Sequence, residues 1–132
     1  MLIDWLGSLG LALPAAGESR VIRFEGAPEL WFEKIDGQYV LALPLAPLPT
    51  RMLSGVMLLL LQFNSPLSTL QPARLTVDGR GHLLLWCTLD EHADPEVCQA
   101  ACDKLHAGYH ELQPLLQAQE ESIPVRSGSL FV

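Results

Sequence analysis

An unbroken apolar run from Val56 to Leu61 is the feature that most constrains this chain. It lies in the segment 49–63, where Pro49 and Thr50 supply the signals of a helix start and good helix formers follow. A helix carrying such a run is apolar in every direction around its axis and needs two surfaces to bury it. The run is too short to cross a bilayer, which takes about 20 apolar residues. One surface is the chain's own sheet, and the simplest second one is a copy of the same helix across a two-fold axis. The sequence therefore predicts a homodimer built on a middle helix.

The charge of the chain narrows the class of partner. The chain has 132 residues, 49% of them hydrophobic, which fits one folded domain and excludes disorder for its body. Its net charge is −7, from 15 acidic and 8 basic residues. Nucleic-acid affinity comes largely from clusters of Lys and Arg, and the sequence has none, so we expect no nucleic-acid partner. The acidity serves solubility, or it matches a partner that is basic or hard to keep soluble.

Cysteine usage and the N-terminus bear on the cellular compartment. Three cysteines form no disulfide framework and fit a reducing cytoplasm. The apolar N-terminus resembles a signal peptide, but it lacks the basic n-region and carries Asp4 instead, so we expect no secretory leader. No stretch is long and apolar enough to predict membrane insertion.

Hydrophobic periodicity predicts an α+β fold in a single domain. The element order is α-β-β-β-α-β-β-α, with an antiparallel twisted sheet flanked by helices. Asp36-Gly37 marks a tight hairpin, and Asp78 to Gly81 marks a second one. The proline-rich segment 44–49 is expected to end pairing of the third strand. The predicted helices, besides the middle one, cover 2–10 and 94–117, and the predicted strands cover 20–25, 30–35, 38–45, 73–77 and 82–89.

The last predicted helix carries an apolar stripe and leads into a tail. The stripe comprises Val97, Ala101, Leu105, Tyr109, Leu112 and Leu116. Residues 1–118 are predicted to form the domain, and residues 119–132 a mobile C-terminal tail. Whether this tail covers a binding surface is left open by the sequence.

Metal binding is the first chemistry that the sequence suggests. Cys98, Cys102, His106 and His110 follow one another at four-residue spacing. Each step of four rises about 6 Å and turns about 40° round the axis, so the ends of this set lie about 18 Å apart. Zinc ligands sit at about 2.0–2.3 Å from the metal, so the four side chains cannot share one ion. We predict no metal site, and buried thiols at Cys98 and Cys102.

Thiol catalysis is the second chemistry. Cys87 is a candidate nucleophile, with His82 or His92 as its base. It lies on the apolar alternation of a strand, where a thiol is usually inert. We therefore predict no catalytic residues and no enzyme activity.

Several stretches resemble a known family. They are the leucine-rich helix that ends in LLLLQFN at Asn64, the strand pair ARLTVDGRGHLLLWCTL, and the acidic loop before a long amphipathic helix. The N-terminal LIDWLGSLGL helix and the strands that meet at IDGQYVLALPL are similar too. Together they resemble the class I type III secretion chaperones, the Tir-chaperone family.

The resemblance implies a homodimer in the bacterial cytoplasm that uses neither ATP nor a cofactor. Such a chaperone holds the N-terminal segment of a secreted effector in extended form and keeps it soluble and competent for secretion. A sheet edge can accept such a segment as an added strand, with apolar pockets that select its side chains. We expect the first helix and the first three strands to form these pockets, through Leu2, Trp5, Leu9, Ile22, Leu30 and Trp31. The expected dimer interface comprises Leu53, Val56, Met57, Leu60 and Trp86.

Other functions remain open at this stage. A regulatory partner of the same fold would sequester a secretion regulator through the same surface. A thiol- or metal-dependent enzyme would use Cys87 or the Cys102 and His106 pair. A purely structural subunit would form the dimer and bind no peptide.

Overall fold

A five-stranded antiparallel sheet, flanked by helices, forms the body of the protein. The computed structural model describes residues 1–47, 58, 61–66 and 72–122. Strand order is β1-β2-β3-β5-β4, and the predicted fold class is confirmed. Leu58 and residues 61–63 are helical and belong to the segment called here the middle helix. The other elements are α1 (Leu2–Ser8), β1 (Ser19–Ile22), β2 (Leu30–Ile35), β3 (Gln38–Pro47), β4 (Arg74–Val77), β5 (His82–Leu89) and α2 (Pro95–Ser122).

Both predicted hairpins are present, and local chemistry explains each. Asp36 and Gly37 have φ values of 50° and 80°, the left-handed pair that a two-residue hairpin turn requires. In the second hairpin, the Asp78 carboxylate accepts hydrogen bonds from the backbone N–H groups of His82 and Arg80, at 3.0 and 2.8 Å. These two bonds hold the pKa of Asp78 below its usual value. The turns fix strand register and so decide which side chains share a face.

One face of the sheet, called here the closed face, forms the core under α1 and α2. Phe32 is central to it, stacked on Tyr39 at 5.7 Å and edge-on to Trp5 at 6.5 Å between ring centroids. The backbone N–H of Leu2 donates to the Glu91 carbonyl at 3.0 Å, which ties the start of α1 to the loop before α2. The closed face comprises Ile22, Leu30, Phe32, Tyr39, Leu41, Leu43, Leu75, Leu83, Leu85, Cys87 and Leu89.

Strand β3 corrects one expectation. The prolines at 44–49 were expected to end its pairing, but β3 continues to Pro47. Pro44 pairs with Leu84 and Pro47 pairs with His82. Between these two pairs the chain advances three residues along β3 but only two along β5. The extra residue is a β-bulge, and a bulge tolerates proline because it interrupts the hydrogen-bond ladder.

Two further expectations, for the end of the C-terminal helix α2 and for its core stripe, are also corrected. The helix ends at Ser122 rather than near Gln117, and it includes Pro114. Val97, predicted in its core stripe, is 54% exposed, because Cys98, one residue and about 100° further round the helix, faces the core instead. No helix within the described ranges is long and apolar enough to cross a membrane.

Candidate partner-binding surfaces

The second face of the sheet, called here the open face, carries one row of side chains across all five strands. Strand register aligns Val21 with Trp31, Trp31 with Ala42, Ala42 with Trp86, and Trp86 with Arg74. Successive side chains of a strand alternate between faces, so this row points away from α1 and α2. Trp31 is 43% exposed, whereas its neighbour Phe32 on the closed face is 0% exposed.

The centre of this row is flanked by two tryptophans. Trp31 and Trp86 stand about 10 Å apart on either side of the small Ala42, since neighbouring strands are about 4.8 Å apart. Trp86 Nε1 donates a hydrogen bond to Thr76 Oγ1 at 2.9 Å, which fixes the orientation of its ring. A largely apolar cavity of about 280 Å³ opens beside it. Its lining residues are Ile35, Asp36, Gln38, Val40, Leu84 and Trp86.

The structure separates the residues expected to bind peptide. Leu9 packs half-buried against the core, and Trp31 lies on the open face. Leu2, Trp5, Ile22 and Leu30 are buried in the core, at 0%, 4%, 1% and 0% exposure. The contact between α1 and the sheet is therefore closed in the free chain. Partner contacts at these positions stay a prediction, which exposed Trp31 and, in part, half-buried Leu9 can make without movement of the core.

The open face also contains apolar residues that the sequence pattern alone does not assign to a binding surface. Ile35, Val40 and Leu84 line the cavity beside Trp86. The signal for them was present, because β5 is apolar on both of its alternating faces. Assigning that second face to a binding surface required the strand order, which places Leu84 and Val40 on neighbouring strands.

The middle helix shows two different sides. Phe63 is 7% exposed and belongs to the core, whereas Leu58 and Leu61 are 56% and 70% exposed. Residues three apart lie on the same side of a helix, so the two leucines form one exposed apolar strip. Four of the expected interface residues, Leu53, Val56, Met57 and Leu60, lie outside the described residues. The fifth, Trp86, lies on the open face.

The three thiols lie in an environment that suppresses their reactivity. Cys87, Cys98 and Cys102 are buried. Burial raises the pKa of Cys87 to about 11 and that of Cys102 to about 12, and it also raises the pKa of Cys98. The thiolate is the nucleophilic form, so these side chains are protonated and inert at neutral pH.

His106, which follows Cys102 by four residues on α2, has a structural contact. His106 Nε2 lies 3.1 Å from the Pro28 carbonyl oxygen, and its ring is edge-on to Phe24. This contact ties α2 to the loop between β1 and β2. Within the ranges that the structure describes, no three His, Cys, Asp or Glu side chains are grouped to hold a metal ion.

Comparisons with known proteins show both the fold and the family of the chain. No protein-family model matches the chain, and no curated protein matches it. The structure of the heterodimeric ExoU-SpcU complex from the type III secretion system of Pseudomonas aeruginosa contains a similar chain. It is 34% identical with a TM-score of 0.75, over 87% of this chain and 97% of that chain. The HopA1-SchA chaperone-effector complex contains another, 14% identical with a TM-score of 0.57, over 83% of this chain and 90% of that chain. The second likeness shows the fold, whereas the identity and coverage of the first show a common family.

Proposed function

Since this chain belongs to the type III secretion chaperones, we propose that it binds the N-terminal segment of a secreted effector in the bacterial cytoplasm. The segment is held in extended form, which keeps it soluble and competent for secretion. Chaperones of this family are not enzymes, and the thiol or metal hydrolase is therefore set aside. Membership of the Tir-chaperone subclass stays a prediction.

The open face is the observation that carries this proposal. It carries Trp31 in its row of side chains and Ile35 in the lining of its cavity, at 43% and 46% exposure. A large apolar side chain left in water is a common mark of a protein contact when it is part of a contiguous patch. Trp is also the residue type most often found at the energetic centre of such contacts. The cavity beside Trp86 offers a place for apolar side chains of the effector.

Strand addition would supply the remaining affinity without a fixed sequence. β1 and β4 are the outer strands of the sheet, and an outer strand can pair with an extended segment through main-chain hydrogen bonds. Main-chain bonds tolerate any side chain, whereas the cavity beside Trp86 selects apolar ones. The net charge of −7 favours effectors with basic segments and keeps the complex soluble.

Homodimerisation through the middle helix is part of the proposal. The exposed strip formed by Leu58 and Leu61 supports it, because a second copy of the same strip would bury both. The Leu61→Asp variant is expected to weaken dimerisation by about tenfold or more in sedimentation equilibrium, since a charge would replace a buried leucine. Gln62→Asp, at the next and also exposed position, is the matched control and should dimerise as the wild type does. A wild-type chain that is monomeric at micromolar concentration would contradict the dimer.

Co-purification tests the function. The tagged chain is isolated from a strain induced for type III secretion, and the bound proteins are identified by mass spectrometry after limited proteolysis. The proposal predicts an N-terminal effector segment, retained by Val97→Ser and lost from Trp31→Ser. Both sites are exposed, but only Trp31 lies on the open face. A secretion regulator as the bound protein would support the regulatory alternative, and no bound protein would support the structural subunit.

A further inference from the structure

The two outer strands of the sheet differ in what their free edges contact. At the β4 edge, Asn64 Nδ2 donates to the Leu75 carbonyl at 2.8 Å, and the Leu75 N–H donates to Asn64 Oδ1 at 2.8 Å. A single side-chain amide thus pairs with both main-chain groups of one strand residue. It does so in the manner of the peptide group of a neighbouring strand.

These two bonds identify the residue of β4 whose main-chain N–H and carbonyl point away from the sheet. In an antiparallel strand, the N–H and C=O of one residue point to the same side, and the next residue points to the other. The main-chain N–H and carbonyl of Leu75 therefore point away from β5, whereas those of its neighbours Arg74 and Thr76 point toward β5. The next outward residue, Val77, immediately precedes the hairpin turn at Asp78. Asn64 occupies the middle of a short edge and leaves little of it for another strand.

The position of Asn64 is fixed from both sides. Phe63, the preceding residue, is 7% exposed in the core, and the Leu75 side chain is 1% exposed. The amide orientation is determined as well, because the reversed amide would place a donor against the Leu75 N–H and an acceptor against its carbonyl. The side chain is held as part of the edge.

Among the described residues, no side chain covers the β1 edge as Asn64 covers the β4 edge. Of the main-chain hydrogen bonds outside helices and sheet in the described part of the chain, none involves residues 19–22. The nearest side-chain contact is from Arg20, whose guanidinium donates to the Ser19 and Ala12 carbonyls. Val21 pairs with Trp31, so a strand added to β1 would place alternate side chains next to the open-face row.

We propose that Asn64 closes the β4 edge and thereby confines strand addition to β1. This inference rests on the strand-addition mode of the proposed function. The partner that β1 fits is an extended segment with apolar side chains at every second position. Closing β4 also prevents two copies of the chain from pairing edge to edge, a contact that would compete with the partner and favour aggregation.

The test begins without any partner. Amide hydrogen exchange of Leu75 is followed by NMR in the wild type, in Asn64→Ala and in Gln62→Ala, which removes an amide from the same helix end. Asn64→Ala is expected to speed exchange at Leu75 by about tenfold or more, because its amide loses its acceptor. It should also add a larger species in light scattering, through pairing of the opened edges. Equal exchange in the wild type and Asn64→Ala, or faster exchange with no larger species, would overturn the proposal.

Asn64→Asp guards against a variant that simply fails to fold. The carboxylate still accepts from the Leu75 N–H, but it cannot donate to the Leu75 carbonyl. Leu75 exchange should then stay slow and the protein should keep its wild-type size, because the carboxylate still covers the Leu75 N–H and its charge blocks the approach of a second edge. Fast Leu75 exchange, or a larger species, in a folded Asn64→Asp protein would count against the proposal.

The co-purified segment then tests the choice of edge. In the wild-type complex, the bound segment is expected to slow amide hydrogen exchange in β1 and not in β4. In the Asn64→Ala complex it should slow exchange in both strands. Protection at β4 in the wild type would overturn edge closure and leave the proposed function standing. A wild-type chain that binds no segment would contradict the proposed function, while the exchange and light-scattering results would still decide whether Asn64 closes the edge against self-pairing.

Discussion

Phe32 and Trp31 are adjacent in β2, yet the first is 0% exposed under the helices and the second is 43% exposed on the open face. Both are aromatic and both lie in the same central region of the sheet. Among the described elements, what separates the two faces is the cover that the helices provide, because α1 and α2 lie on the closed face. Burial on one face stabilises the fold, and exposure on the other leaves apolar area available to a partner.

The largest expected effect comes from exchanging the two aromatics for alanine, one at a time. Phe32→Ala should lower the free energy of unfolding by about 3–5 kcal/mol, because it leaves a cavity between Trp5 and Tyr39. Trp31→Ala should lower it by less than about 1 kcal/mol, since much of that ring is already in water. Urea denaturation measures both, and equal losses would mean that the faces do not differ as described.

A pH titration examines the core between α2 and the closed face, through the buried thiol of Cys102 on α2. The pKa of Cys102 is about 12 in the folded chain against an ordinary 9.0, so its contribution to stability is complete below pH 9. That contribution is lost as the pH rises from 9 toward 12, by up to about 1.4 kcal/mol for each pH unit. Cys102→Ala should therefore show a shallower loss of stability between pH 8 and pH 10 than the wild type.

The matched control for this titration is a thiol on the open face. Thr88 is exposed and aligns with Val40, so Thr88→Cys would place a solvated thiol there. The pKa of this thiol should be similar in the folded and unfolded chains, so the pH dependence of stability should be the same as in the wild type. A wild-type slope in Cys102→Ala, or an added slope in Thr88→Cys, would contradict the assignment of the faces.

The smallest expected effect concerns the turn that sets register between β2 and β3. Gly37 has a φ of 80°, which an alanine adopts only with strain, so Gly37→Ala should cost about 1 kcal/mol in unfolding free energy. Gly79, in the other hairpin, has open space around it and no positive φ, and Gly79→Ala should be close to neutral. Thermal unfolding distinguishes them, and equal effects would show that the Gly37 conformation does not hold the faces in register.

Much of the fold was predictable because its signals are local. β2 and β5 begin and end where the alternation and turn residues place them, at Leu30–Ile35 and His82–Leu89. The bulge at Pro44 was not predictable, because a proline that ends one strand is tolerated in another when the partner strand accommodates an extra residue. The end of α2 was missed for a similar reason, since Pro114 lies within the helix without ending it.

The site was predictable only in part. The alternation of side chains along a strand assigns residues to the two faces of the sheet, but it does not show which face the helices cover. Trp31 was expected to be partner-facing and is exposed, whereas Leu30 was selected with it and lies in the core. Covering one face depends on where α1 and α2 pack, which is a tertiary property. Asn64 was visible only as the end of a helix, and its role at the β4 edge depends on a contact with a residue eleven positions away.

The most direct test of the account places a photoreactive phenylalanine analogue at Trp31 and, in a separate protein, at Val97. Both positions are exposed, at 43% and 54%, but they lie on the open face and on α2 respectively. In cells induced for secretion, the account predicts a cross-link from position 31 to the N-terminal segment of an effector, and none from position 97. A cross-link from position 97 alone, or equal cross-links from both, would contradict the claim that the open face holds the partner.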